Sequence, residues 1–208
     1  MSAIYVNSIK DKTNTRELAS DSGSAWSWGS GVPKGSVIEQ FMSPCNGSSI
    51  TVQSGAYTVQ NVTAKQELTT SFSELTGSTI DYTPPTGTQT IIYSFSFQSG
   101  WPDDHSISSL KLFLDNDAGT LTEVVYARHS IGGQYSEQRT NFVWAFHIGG
   151  SDDDNTGRRD TWTSARTIQL QVREQGSANE RFAHATSYWD GGNNDEFSQP
   201  VIGITALA

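Results

Sequence analysis

Residues 91–97 read IIYSFSF, and that alternation decides the fold. Successive side chains of a strand point to opposite faces, so Tyr93, Phe95 and Phe97 share one face and Ser94 and Ser96 the other. Three further stretches repeat the period. LKLFLD brings Leu110, Leu112 and Leu114 together. FVWAFHI aligns Phe142, Trp144, Phe146 and Ile148 against Val143, Ala145 and His147. TIQLQVR aligns Ile168, Leu170 and Val172 against Gln169, Gln171 and Arg173. Each is apolar on one side and polar on the other, as a half-buried strand requires. Weaker runs lie at 36–42, 56–63, 78–83, 123–129, 181–189 and 201–206.

Outward from these runs the chain is punctuated by SPCNGSS, TPPTGT, DNDAGT, HIGGSDDDNTG and WDGGNND, which are turn chemistry. About ten short strands with such spacing predict an all-β sandwich or barrel, and a two-sheet jelly roll fits best. In that topology the first and last strands are neighbours, and GSVIEQFM and PVIGITALA have the character to pair. A body of about 170 residues is long enough to bury nearly 70% of its unfolded surface.

Composition agrees. Ser (28) and Thr (22) make up about a quarter of the 208 residues, charged residues only 17%, and there are two methionines. The stock for long helices is thin. The formal charge is −9, which argues against a partner made of nucleic-acid phosphates. No apolar run reaches the length of a membrane span, and MSAIYVNSIK lacks the basic start and apolar core of a secretory signal. Cys45 is the sole cysteine, so no intrachain disulfide can form. Beside Pro44 it reads as a small buried residue or an idle thiol.

The charge is unevenly placed. Residues 1–34 carry four basic and three acidic groups, which leaves −10 for the remainder. SDSGSAWSWGSGVPKG, residues 20–35, has the composition of a flexible linker interrupted by Trp26 and Trp28. Before it, IYVNSIK alternates crudely, DKTNT supplies a turn, and RELA can return as a strand or a short helix. The chain therefore divides into an extended arm with linker, 1–34, and a jelly-roll sandwich, 35–208. Two strands alone are not stable, so the arm is expected to add to another chain or stay disordered, with strand addition to an exposed sheet edge of a partner as the favoured mode. Ile4, Tyr5, Val6, Ile9, Trp26 and Trp28 are its candidate anchoring residues.

Catalytic signals are thin. No G-x-S-x-G elbow, H-E-x-x-H helix or P-loop occurs. His105, His129, His147 and His184 are scattered singly, without the clustering a metal cage needs. DNDAG, residues 115–119, opens like a calcium loop, but Tyr126 stands where the closing Glu belongs, and a hairpin turn explains the stretch. SDDDN, residues 151–155, places three carboxylates side by side next to Arg158 and Arg159; adjacent side chains diverge, so a solvated loop tip is expected. No catalytic, cofactor-binding or metal site is assigned, and the chain is expected not to be an enzyme. Trp101 in SGWPDDH and Trp189 in SYWDGGNN sit beside carboxylates at loop mouths. They are candidate glycan contacts, because a ring covers the apolar face of a sugar while polar neighbours bind its hydroxyls.

The stretch from Ser20 through SVIEQFMSPCNG resembles the entry into a recurrent domain of virion proteins from marine tailed bacteriophages. The resemblance continues through YTPPTGTQTIIYSFSF, LKLFLD with EVVYARHSIGG, QRTNFVWAFHIGG, TWTSARTIQLQVREQGSANE, HATSYWDGG and FSQPVIGITALA, and covers about residues 20–208. It implies a non-enzymatic structural or fibre-like protein, a homotrimeric jelly roll displayed on the virion surface. It further implies that the arm attaches to other virion proteins of capsid or tail, and it brings no catalytic residues. Tail fibres have a long shaft, whereas about 34 residues precede the globular part here. That favours a compact decoration or short spike. The alternatives are a receptor-binding tail-fibre adhesin and a free carbohydrate-binding module acting through Trp101 and Trp189 on a host-surface glycan.

Overall fold

The computed structural model describes residues 8–10, 17–21, 26–28, 33–100, 107–116, 119–132, 138–176, 181–188 and 194–208. Every regular element among them is a strand. In chain order these are β1 (Ser8–Lys10), β2 (Glu17–Asp21), β3 (Trp26–Trp28), β4 (Val37–Pro44), β5 (Ser49–Val52) and β6 (Gly55–Thr58). Then come β7 (Gln66–Glu67), β8 (Ser73–Glu74), β9 (Ile80–Tyr82), β10 (Thr90–Gly100), β11 (Ile107–Asp115) and β12 (Leu121–Gly132). The last are β13 (Gln138–His147), β14 (Arg166–Gln175), β15 (Phe182–Ala183), β16 (Ala185–Tyr188), β17 (Asn194–Phe197) and β18 (Val201–Leu207).

Two antiparallel sheets make the body. The first runs β4–β18–β10–β13, with β15 and β7 continuing it past the end of β18. The second runs β12–β11–β14, and β9 and β8 share the far edge of β14. In chain order β4 lies in the first sheet, β9 in the second, β10 in the first, β11 and β12 in the second, β13 in the first, β14 in the second and β18 in the first. Along these strands the chain crosses between sheets at every step but the β11–β12 hairpin, the pattern of a jelly roll. The first and last body strands pair as their sequences predict, Phe41 opposite Ile204 and Met42 opposite Gly203. Ala208 N donates to Ser36 O at 2.9 Å, tying the C-terminus to the start of the body.

The predicted inner faces meet in one core. Tyr93, Phe95 and Phe97 from β10 are buried with Leu110, Leu112 and Leu114 from β11 and Ile168, Leu170 and Val172 from β14. Phe142 and Phe146 of β13 join them, while Trp144 and Ile148 are only half-buried at the margin. Several polar groups inside find partners. Tyr93 Oη donates to Ser78 O at 2.7 Å. Glu39, buried in β4, accepts from Ser54 N, Ser54 Oγ and Tyr82 Oη at 2.7, 2.6 and 2.8 Å. Cys45 is buried, its thiol donating to Gly77 O at 3.3 Å, and burial pushes its pKa up to about 12. It is thus the small buried residue of the two alternatives. Gly77 has φ +86°, and a Cβ there would lie 2.9 Å from Val62 Cγ2, so only glycine fits.

The run predicted at 181–189 is broken by His184, whose φ is +60°. β15 therefore ends at Ala183 and pairs with β10, while β16 turns away to pair with β17. His184 is fully buried against the rings of Phe95 and Phe97, and its Nε2 lies 3.0 Å from Thr76 Oγ1. Desolvation lowers its pKa to about 4. Arg181, also buried, donates from Nη1 to Ser108 Oγ at 2.9 Å and to Ile131 O at 2.6 Å. Burial lowers its pKa to about 10, which leaves it charged.

Two outcomes test this arrangement. Leu112→Ala empties part of the contact between sheets and should cost about 2–5 kcal/mol in urea unfolding with an unchanged slope. His184 titrates near 6.5 when unfolded and near 4 when folded. Between those values the unfolded chain binds a proton that the folded chain excludes, so stability is full above pH 6.5 and falls as pH drops. Through this group the protein should be about 2 kcal/mol less stable at pH 5 than at pH 7. His184→Asn tolerates the left-handed backbone and should flatten that difference in urea unfolding at the two pH values.

Candidate interaction surface

The outer face of the β4–β18–β10–β13 sheet is built from the residues opposite the core. The register sets Met42, Gly203, Ser94 and Val143 in one row across it, with Pro44, Val201, Ser96 and Asn141 in the next. Met42 and Val143 are 69% and 59% exposed. Between them the floor is low, because Gly203 has no side chain and a Cβ there would sit 2.7 Å from Ser94 Oγ. The result is an apolar groove of about 350 Å³ lined by Met42, Ser94, Ser96, Val143, Val201 and Arg139. Arg139 Nε donates to Ser96 Oγ at 3.1 Å.

A second groove, about 220 Å³, lies on the other side of β13, where Tyr126, Arg128 and His129 of β12 approach Asn141 and Trp144. The two grooves share Asn141, Phe142 and Val143, so they form one surface. Tyr126 is 67% exposed, whereas Trp144 turns its Nε1 to donate to Thr156 O at 3.0 Å. Arg128 is held by Glu123 at 2.6 Å.

Charge separates this face from its counterpart. The four strands β4, β18, β10 and β13 contain a single carboxylate, Glu39, and it is turned into the core. On the second sheet Lys111 and Arg128 both bind Glu123, at 2.9 and 2.6 Å. There Phe72 lies beneath the cations of Lys111 and Arg173, 4.6 and 5.0 Å from its ring centre. The second sheet therefore pairs charges across its outer surface, whereas β4, β18, β10 and β13 carry no outward carboxylate and leave Met42 and Val143 bare.

The other sequence candidates fall as follows. DNDAG is the connection of the β11–β12 hairpin, with Gly119 N donating to Asn116 O at 3.0 Å. The three carboxylates of SDDDN diverge as expected. Asp152 accepts from Asp160 N at 2.7 Å, Asp153 from Thr156 Oγ1 at 2.9 Å, and Asp154 lies 3.0 Å from Arg159 Nη1. Among the described residues no three His, Cys, Asp or Glu side chains gather as a metal site requires, and no helix is long and apolar enough to cross a membrane. His129 and His147 are exposed, and His147 Nδ1 lies 3.2 Å from Thr90 Oγ1.

In the arm, Ile9 lies in β1 and Trp26 and Trp28 in β3, strands of a three-stranded sheet ordered β1–β2–β3. RELA thus lies where the chain returns as a strand, with Glu17 opposite Lys10 and Ala19 opposite Trp28. Ile4, Tyr5, Val6, Trp101 and Trp189 lie outside the described residues. Sequence reading passed over Met42, Tyr126 and Val143. The available signal was FVWAFHI, which is apolar in both phases of its alternation, with Val143 on the face that water should wet.

No family model and no curated protein matches the chain. Among solved structures it is similar to that of infectious bursal disease virus, Gx strain, at 8% identity and a TM-score of 0.40, over 92% of this chain and 43% of that one. It is also similar to the Gt strain of the same virus, at 9% identity and a TM-score of 0.37, over 92% of this chain and 48% of that one. The chain spans less than half the length of either.

Proposed function

We propose that the chain is a non-enzymatic structural protein of a bacteriophage particle. In this reading it is a homotrimeric surface decoration or short spike, held to capsid or tail proteins by residues 1–34, with the acidic body facing water. Support from sequence is the resemblance across residues 20–208 to virion proteins of tailed phages. The structural observation that carries the reading is the arm's own sheet. Among the described residues β1 and β3 are its edge strands, and such an edge offers a row of backbone donors and acceptors to a strand of another protein. Trp26 and Trp28 belong to β3, one of those edge strands. The body, at −10, keeps closely spaced copies soluble. Repetition over a particle then multiplies modest contacts into high avidity.

Deletion of residues 1–20 tests the anchor. The shortened protein should stay soluble and be missing from purified particles, measured by immunoblot against the full chain. Shortened protein present on particles at the full chain's level would overturn the anchoring role.

A further inference from the structure

We propose that the outer face of the β4–β18–β10–β13 sheet is the surface by which the chain binds a second copy of itself; this rests on the reading of the protein as a self-assembling virion component. Met42, Val143 and Tyr126 are the three most exposed large apolar side chains of the described residues, and all three border the joined grooves on either side of β13. Scattered exposed apolar groups need no explanation, but a contiguous set on a sheet face does. The low floor at Gly203, Ser94 and Ser96 lets a partner's side chains approach the backbone closely.

Charge selects the occupant. A second copy brings a body of −10, and two such bodies repel wherever carboxylates face each other. The strands β4, β18, β10 and β13 present no outward carboxylate, so a like-charged neighbour meets little repulsion on them. Arg128 is already committed to Glu123, which leaves Arg139 as the cation at the groove's rim. Met42 and Val143 form the dry centre of the contact, with Arg139 at its rim.

Light scattering of the full chain over a range of concentrations reads the outcome. The wild type should show a mass of more than one chain. Val143→Asp and Met42→Asp each place a carboxylate in the groove and should weaken association at least tenfold. Gln175→Asp, on the second sheet, should leave it unchanged. Both groove positions are exposed, so thermal melting should confirm that the variants remain folded. An associated wild type unmoved by either variant would overturn this face and leave self-assembly standing. A wild type of single-chain mass at all concentrations would overturn the face and the homotrimer together, leaving the surface to a different partner; anchoring through residues 1–34 is read separately by the deletion.

Discussion

β10 cannot slip. Tyr93, Phe95 and Phe97 point from it into the core, and a shift of one residue would carry all three into water and bring Ser94 and Ser96 inside. Burial of each such ring contributes about 1.5–3 kcal/mol, so the misregistered strand has no compensation. β13 pairs along one edge of β10, and β18 and then β15 along the other. The register of β10 therefore sets that of the whole first sheet, including the row that runs from Met42 to Val143. The second sheet is placed by the same rings, because its leucines and isoleucines complete the core.

That constraint explains the composition. A jelly roll made of alternating strands needs small polar residues on its outer faces, and Ser and Thr supply them without the charge that long polar side chains bring. The two sheets use this freedom differently. The second covers its exterior with the Lys111, Glu123 and Arg128 network and with Phe72 beneath two cations. The four long strands of the first place their one carboxylate, Glu39, inside, where three donors hold it, and present Met42 and Val143 to the outside. On the proposed particle, one face would keep copies apart in water and the other would join them.

The sandwich was legible because its signal is local: period two in IIYSFSF, LKLFLD and TIQLQVR, and matching character at the two ends of the body. Deviations arose where a single residue acts through tertiary context. His184 adopts φ +60° and divides a run that reads as one strand. Trp144 shares a phase with Phe142 and Phe146 but sits at the sandwich margin, where Thr156 O takes its Nε1. The exposed face was not legible, since a row is made by register across four strands that are distant in sequence. Gly203 looks like a weak point in a strand until Met42 and Ser94 are seen on either side of it.

In the proposed function the chain is a component of a virus particle, with its arm buried and its sandwich displayed. Electron cryo-microscopy of purified particles that carry it tests this most directly. The account predicts density for an all-β sandwich on the particle surface, with residues 1–34 packed against a different virion protein. Particles lacking such density, with the chain recovered only as free protein from infected cells, would contradict it.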